Sequence, residues 1–568
     1  MIKSELYTGI KKKRQKILYF VFCLILILPN ILLTFTEPYT VVSKIANLLL
    51  PLFVYMFLLT LKRKPGAMMW WLFIFVFFGA FQLVLLNLFG NSIIAVDMFL
   101  NVLSTSVGEA SELLDNMLLA ISSVLLIYVP CMTFAVYSTK YKEDLDKAFR
   151  SKMKRIAVGG FALSLLLIPL CKYSNKRYKG RNEVFPVNVL YNLYLSVDRV
   201  NKTAHYYETS KGFTYHAKST HSPELDETYV LVIGETSRAC SWGLYGYKRE
   251  TNPLLMQIAP ELVVFRDNLS QSNTTHKSVP IILSPADADH TSELHKVKSV
   301  ITAYKEAGFY TSFLSNQAYN RAYIDFFAKE ADNCFFIREQ GNLKGKRTMD
   351  ADLLPLLQET LGKHKKNLII LHTYGSHFNY SDRYKREDAV FTPDKITSTS
   401  IRQLNQLRNG YDNSIRTTDK FLYSVINMLK TKNNVAGMLF IADHGEDIYD
   451  DERERFLHSS PTTSYYQIHV PYILWTSEGY RQAFPDKVNA ARRNAARASS
   501  SNTVFHTLLD LGGIDTKYKM DSLSLTSDSF KDINRCYLND HNESIPMGEI
   551  GLKKEDERMF KKFHLKMY

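Results

Sequence analysis

The chain carries two hydrophobic rhythms. Up to Lys172 the apolar positions fall in five long runs, at Ile17–Phe35, Ile45–Leu61, Met68–Phe89, Met117–Val136 and Ile156–Cys171. Each approaches or reaches the roughly 20 residues a helix needs to cross a bilayer. After Thr228 the apolar runs are short, rich in β-branched residues and separated by helical stretches. That alternation predicts a mostly parallel sheet covered by helices. Its strands are expected at Tyr229–Ile233, Phe309–Leu314, Asn367–Leu371 and Ala436–Ala442. The fold class is therefore α/β behind a five-helix transmembrane domain. The boundaries read as 1–172 for the membrane domain, 173–226 for a linker with an interfacial helix, 227–525 for a soluble domain and 526–568 for a polar extension.

Charge orients this plan. Lys11, Lys12, Lys13, Arg14 and Lys16 precede the first run, but no small-residue cleavage site follows it and more runs come at once, so it reads as a span and not a signal peptide. Loops then alternate. Only Lys44 lies in the first, Lys62, Arg63 and Lys64 crowd the second, Gly90–Asn116 has no Lys or Arg, and the fourth carries seven between Lys140 and Arg155. Cytoplasmic loops hold the Lys/Arg excess, so the N-terminus is expected in the cytoplasm and everything after the fifth run outside, in a bacterium the periplasm. Of the net charge of +14, most lies in the first 172 residues, which hold 18 Lys and Arg against nine Asp and Glu. The basic excess thus belongs to the membrane boundary and does not indicate a nucleic-acid partner. The six cysteines show no CxxC and no zinc spacing, which excludes a disulfide framework and a cysteine metal site.

Candidate chemistry sits just after the predicted strands. The first ends at Gly234 and meets Glu235-Thr236-Ser237-Arg238; the second leads into Ser315-Asn316-Gln317; the third into His372 through His377; the fourth into Asp443-His444-Gly445-Glu446, with His458 downstream. Ligands of an open α/β sheet bind beyond the carboxyl ends of its strands, and carboxylate plus imidazole suits Zn²⁺. The hydroxyl-rich stretch Ser270-Gln-Ser-Asn-Thr274-Thr275-His276 precedes the apolar run Val279–Leu283 and predicts a loop that opens a helix. A hydroxyl there is placed at the positive end of a helix dipole, where phosphate also binds. Separately, Asn101, Thr105 and Glu109 fall at i, i+4 and i+8. They share one face if helical, either as a solvated surface or as a stripe that grips a lipid headgroup.

These residues resemble the phosphoethanolamine transferases of the alkaline-phosphatase/sulfatase superfamily, the group that includes lipid A modifying enzymes of colistin resistance. The matching pieces are Gly234-Glu235-Thr236-Ser237-Arg238, Trp242 through Tyr247, Thr251-Asn-Pro253, Thr275 with Ser278-Val279-Pro280, His372 with Gly375-Ser376-His377, Tyr411-Asp412-Asn413, and Asp443-His444-Gly445-Glu446 with His458. The resemblance implies a sulfatase-like soluble domain and a Zn²⁺ held by Glu235, the nucleophile Thr275, Asp443 and His444. It places His377 and His458 on phosphate or a second zinc, and His372 and Asn316 nearby in the pocket. Thr274 is the register alternative to Thr275. The reaction it implies moves phosphoethanolamine from phosphatidylethanolamine to lipid A or a related glycan through a phosphothreonine, in a monomeric inner-membrane enzyme. A phosphoglycerol transferase or phosphodiesterase with the same core, or an inactive membrane sensor, are the alternatives. No Cys-x-Pro-x-Arg occurs, which disfavours a formylglycine sulfatase. One departure stands out: members often bracket the nucleophile loop with cysteines, and this chain has Gln271 and Ile281 there.

Overall fold

A computed structural model of the chain describes all residues except 1, 38, 90–92, 105, 106, 321, 341–346, 433, 460 and 568; the side chains of 2–12, 87–89 and 101–120 are likewise outside the description. The Asn101/Thr105/Glu109 stripe therefore lies outside the described residues. Contacts divide the chain into two compact units, one built on the N-terminal helices and the other on Asp198–Tyr568.

The first unit is helical. Helices at Lys13–Thr36, Val41–Leu59, Ile121–Lys140 and Lys147–Ser174 are each long and apolar enough to cross a membrane. The run around Met68 forms two helices, Pro65–Trp71 and Phe73–Leu86, bent by 72° at a short break. Counting that pair as one span gives five. Large side chains including Trp71, Leu126, Leu163 and Leu166 face outward, as expected where lipid is the solvent. Polar groups turn inward: Asn30 Nδ2 donates to the Asn47 and Phe185 carbonyls, which satisfies a group that hydrocarbon would strand.

The second unit is organised by a seven-stranded sheet. Its strands are β1 (Glu227–Gly234), β2 (Leu262–Phe265), β3 (Tyr310–Ser315), β4 (Asn333–Phe336), β5 (Lys366–His372), β6 (Val435–Ala442) and β7 (Tyr472–Thr476), in the spatial order β2-β7-β6-β1-β5-β3-β4. β7 runs antiparallel to its neighbours β2 and β6, and every neighbouring pair along β6-β1-β5-β3-β4 is parallel. The sheet is thus mixed at one edge. The four strands expected from sequence are present, three of them slightly longer and the one expected at Phe309–Leu314 shifted by one residue. The other three were not expected; their apolar runs are short, four or five residues, and two of them are edge strands.

β1, β6 and nearly all of β5 are buried. This is why their sequences lack a polar face: a parallel sheet is covered on both sides. One core packs Tyr229, Leu231 and Ile233 with Phe313, Ile370, Leu439 and helix Thr503–Leu511. The other packs Val230 and Val232 with Trp242, Phe440 and the long helix Leu404–Lys432. Because β1, β3, β5 and β6 are parallel, their carboxyl ends emerge on one edge, with β5 and β6 flanking β1. The segment after 526 adds a two-stranded hairpin, Cys536–Leu538 with Ser544–Pro546, and helix Lys554–Lys562. Arg535, Tyr537, Met547 and Phe560 are buried there.

Candidate active site

Thr275 is the first residue of helix Thr275–Leu283, with Thr274 at the N-cap. The sequence makes this helix begin here because Ser270, Ser272 and Ser278 fasten the preceding loop. Ser278 Oγ donates to the Ser272 carbonyl, and Ser270 Oγ lies within hydrogen-bond reach of both the Ser272 and Asp443 carbonyls. The loop is thereby tied to the end of β6. Thr275 Oγ1 lies 3.1 and 3.2 Å from the two Glu235 carboxylate oxygens and 3.2 Å from His444 Nε2. Thr274 Oγ1 instead contacts Ser272 Oγ at 3.4 Å. The structure thus sets Thr275, and not its neighbour, among the strand-end residues.

Glu235 is held on several sides. Thr236 Oγ1 donates to Oε1 at 2.7 Å and Gln317 Nε2 to Oε2 at 3.1 Å. Thr236 takes a positive φ of 55°, a conformation unfavourable for a β-branched residue and found where the surroundings enforce it. Its amide donates to Asp443 Oδ1 at 3.1 Å. Thr236 is therefore a holder of Glu235 and Asp443. Gly375, after β5, has φ 46°, and a Cβ on it would sit 2.5 Å from the Glu235 carbonyl oxygen. Only glycine lets the β5 turn close around Glu235.

The histidines divide by position. His444 and His458 rings lie 4.2 Å apart between centroids. His377 stacks on Tyr374 and stands 6.1 Å from His458. His458 Nδ1 meets Glu446 Oε1 at 2.9 Å, and Tyr380 donates to Glu446 Oε2 at 2.6 Å. His372 faces Ser315 and Phe313 instead, with Nε2 buried and without a hydrogen-bond partner. Asn316 is taken up by Thr348 and Asp350. Asp350 in turn accepts from the Tyr374 and Gly375 amides, so Asn316 acts on the turn around Glu235 and not on Thr275.

Gln317, Glu446, Asp350 and Tyr380 are the participants that sequence reasoning did not assign. Gln317 and Glu446 stand next to assigned strand-end residues. Asp350 and Tyr380 carry no local signal, since they arrive from helical turns distant in sequence.

The electrostatics of this cluster call for a cation. Burial, then Asp443, push the Glu235 carboxyl up to about 8, and burial pushes Asp443 up to about 7. Burial pushes the Glu446 carboxyl up to about 8. His444 and His458 are pushed down to about 4 by burial, and His377 well below the usual range for the same reason. Arg238, just after β1, is committed to Asp450 at 2.6 Å and to Ser241. Asp443 Oδ2 is buried without a hydrogen-bond partner and lies 3.4 Å from His444 Nε2. Glu235, His444 and His458 each offer a ligand atom within 4.8 Å of the others. Neutral imidazoles beside crowded carboxylates form a donor set that fits a divalent metal. The group that the geometry brings together for an ion is Glu235, His444 and His458, with Asp443 Oδ2 and Thr275 Oγ1 beside it.

A sulfatase family model matches residues 227–514, just over half of the chain. The Kdo(2)-lipid A phosphoethanolamine 7''-transferase of Escherichia coli strain K12 is 34% identical over 280 residues, 48% of this chain and 47% of that protein. The phosphoethanolamine transferase CptA of Salmonella typhimurium is 28% identical over 340 residues, 57% of each chain. The chain thus spans about half the length of the curated relatives it matches. Among solved structures, the integral membrane phosphoethanolamine transferase EptA of Neisseria meningitidis aligns with TM-score 0.70 at 22% identity, over 89% of this chain and 97% of that one. It shows that the helical unit and the sheet unit belong to one known fold. The periplasmic domain of EptC from Escherichia coli, solved in complex with Zn, aligns with TM-score 0.53 at 27% identity over 59% of this chain and 95% of that one. With the family model matched over just over half of the chain and the mixed sheet beneath the strand-end site, this chain belongs to the sulfatase family.

Proposed function

We propose that the chain is a zinc-dependent phosphoethanolamine transferase of the inner membrane, with its N-terminus cytoplasmic and its sheet unit in the periplasm. The donor is phosphatidylethanolamine and the acceptor lipid A or a related envelope glycan. The observation that carries this reading is the position of Thr275 Oγ1, at a helix N-terminus and in contact with both Glu235 and His444. The names of the relatives and the zinc complex of EptC support it.

Bound at Glu235, Asp443, His444 and Thr275, Zn²⁺ supplies positive charge that favours the threonine alkoxide and the anionic phosphate. One ion is expected there; His377 and His458 offer room for a second. The chain's own residues supply the rest. The Thr275 hydroxyl, in contact with Glu235 and His444, gives up its proton to water at the site. Thr275 Oγ bonds to the donor phosphorus as the phosphorus–oxygen bond to diacylglycerol breaks. Diacylglycerol leaves as the alcohol with that proton. The first-turn amides of helix Thr275–Leu283 and its dipole favour the phosphate. His377, with its Nδ1–H given to the Phe378 carbonyl, presents Nε2 as an acceptor, and His458 stands beside His444. The acceptor then attacks the phosphothreonine and restores the threonine hydroxyl. Mass spectrometry of lipid A from cells with and without this chain tests the reading: a phosphoethanolamine mass increment only in the former supports it, and identical spectra, with an unchanged remaining envelope, contradict it.

A further inference from the structure

The nucleophile loop has no cysteine bracket, and the six cysteines are all free. Another part of the chain lies against it. Arg535 is fully buried and its guanidinium pairs with Asp267 at 2.5 Å. The Lys566 amide also donates to Asp267, which stands just before the strand Asn268–Leu269 that leads into the loop. The Leu538 amide donates to the Gln271 carbonyl at 2.7 Å. Lys277 Nζ, two residues past Thr275, donates to the Asn539 carbonyl at 3.0 Å. Leu538 packs on Ile281 and Ala288. The two positions without cysteines, 271 and 281, are thus both met by Leu538.

The same C-terminal segment reaches the loop that carries His458. Asp556, on helix Lys554–Lys562, is fully buried. Its carboxylate accepts from Arg453 Nη1 and Nη2 at 2.7 and 2.9 Å, from the Tyr465 amide at 2.9 Å and from the Lys553 amide at 2.9 Å. Tyr465 opens the short helix Tyr465–Ile468. Within it, Gln467 joins both loops: it accepts from Asn273 Nδ2 at 2.7 Å, and its Nε2 donates to Asp447 at 2.6 Å and to the Leu457 carbonyl at 3.3 Å. Asn273 lies two residues before Thr275, and Leu457 is next to His458. Tyr465 and Ile468 pack with Phe560, Met547 and Leu565.

We infer that the segment 535–567 is a non-covalent clamp that sets Thr275 and His458 relative to each other, with Asp556 as a positioning residue. A carboxylate with four donors and no exposure resists displacement, and buried charge-assisted contacts are the strong ones. The path Asp556–Tyr465–Gln467 ends on both reacting loops, so loosening it frees both together. This rests on the proposed role of Thr275, but the clamp itself is tested without it.

The experiment uses the full-length chain in detergent and compares Asp556→Ala, Asp556→Asn and Leu429→Ala. Leu429 is buried beside the amino-terminal edge of the sheet, so its truncation lowers stability away from the site. Amide hydrogen exchange over 270–277 and 455–464 is read first, as local opening is seen there directly. Asp556→Ala is expected to accelerate exchange in both segments about tenfold or more, with Asp556→Asn intermediate and Leu429→Ala unchanged in both. Headgroup release from phosphatidylethanolamine vesicles is read second. Asp556→Ala is expected to lower kcat about 10- to 100-fold with KM within about threefold, the size of effect of groups that orient a site. Exchange over 270–277 that stays at the parent level in Asp556→Ala overturns the clamp. If Asp556→Ala does not fold, Asp556→Asn with parental exchange and kcat overturns it equally. A parent without lipid activity but with the exchange pattern above sinks the transferase reading and leaves the clamp standing.

Discussion

Thr275 and Glu235 are 40 residues apart in sequence, yet the hydroxyl of one lies 3.1 and 3.2 Å from both carboxylate oxygens of the other. The contact joins a helix N-terminus to the end of the central strand, and the remaining site residues gather around it.

Glu446 is the first group whose loss should be felt. It orients His458 through Nδ1 and is itself held by Tyr380. Glu446→Ala is expected to lower kcat/KM about 10- to 100-fold while the fold persists, and Tyr380→Phe to lower it less. Steady-state kinetics on labelled phosphatidylethanolamine check this; parental kcat/KM in Glu446→Ala removes His458 from the reaction.

Gly375→Ala places a methyl group 2.5 Å from the Glu235 carbonyl oxygen and 2.9 Å from its amide nitrogen, at a positive φ. Backbone cannot yield as a side chain tip does. The variant is expected to unfold earlier by about 1–3 kcal/mol and to lose most activity. Denaturant unfolding with parallel assays checks both; a stable, active variant means that the turn around Glu235 relaxes without cost.

The sequence made the sheet legible where strands are long and buried. Tyr229–Ile233 and Ala436–Ala442 announce themselves because both faces are covered, so the apolar run is continuous. Leu262–Phe265 and Asn333–Phe336 are edge strands of four residues, too short for periodicity to separate them from loop. Glu235 and Asp443 directly follow strands and His444 comes next, so position alone makes them candidates. Asn316 and His372 also follow strands, but Asn316 is engaged by Asp350 and Thr348, and His372, the last residue of β5, faces Ser315. Residue type at a strand end does not state which way a side chain turns. The segment after 526 reads as polar because its few apolar residues, such as Met547 and Phe560, are spaced for a helix and a hairpin packed on existing structure.

Metal removal should reverse the pH response of stability. Without metal, the folded chain holds protons on Glu235 up to about pH 8 and on Asp443 up to about 7, from ordinary values of 4.5 and 3.8. It binds more protons than the unfolded chain over that range, so this pair lowers stability as pH rises. His444 and His458, shifted from 6.5 to about 4, act oppositely, but only below about pH 6.5. Between about pH 6.5 and 8 the carboxyls decide, and the Tm of chelator-treated protein is expected to fall. Zinc requires ionised carboxylates, so its affinity and its increment in Tm are expected to rise across the same window. Thermal unfolding with chelator and with Zn²⁺, from pH 6.5 to 8, checks the signs; parallel curves contradict a metal at these carboxylates.

The most direct test of the central claim is intact-protein and peptide mass spectrometry after incubation with phosphatidylethanolamine and no acceptor. The account predicts a phosphoethanolamine adduct on Thr275, absent in Thr275→Ala and present in Thr274→Ala. An adduct on another residue, or one that persists in Thr275→Ala, would contradict it.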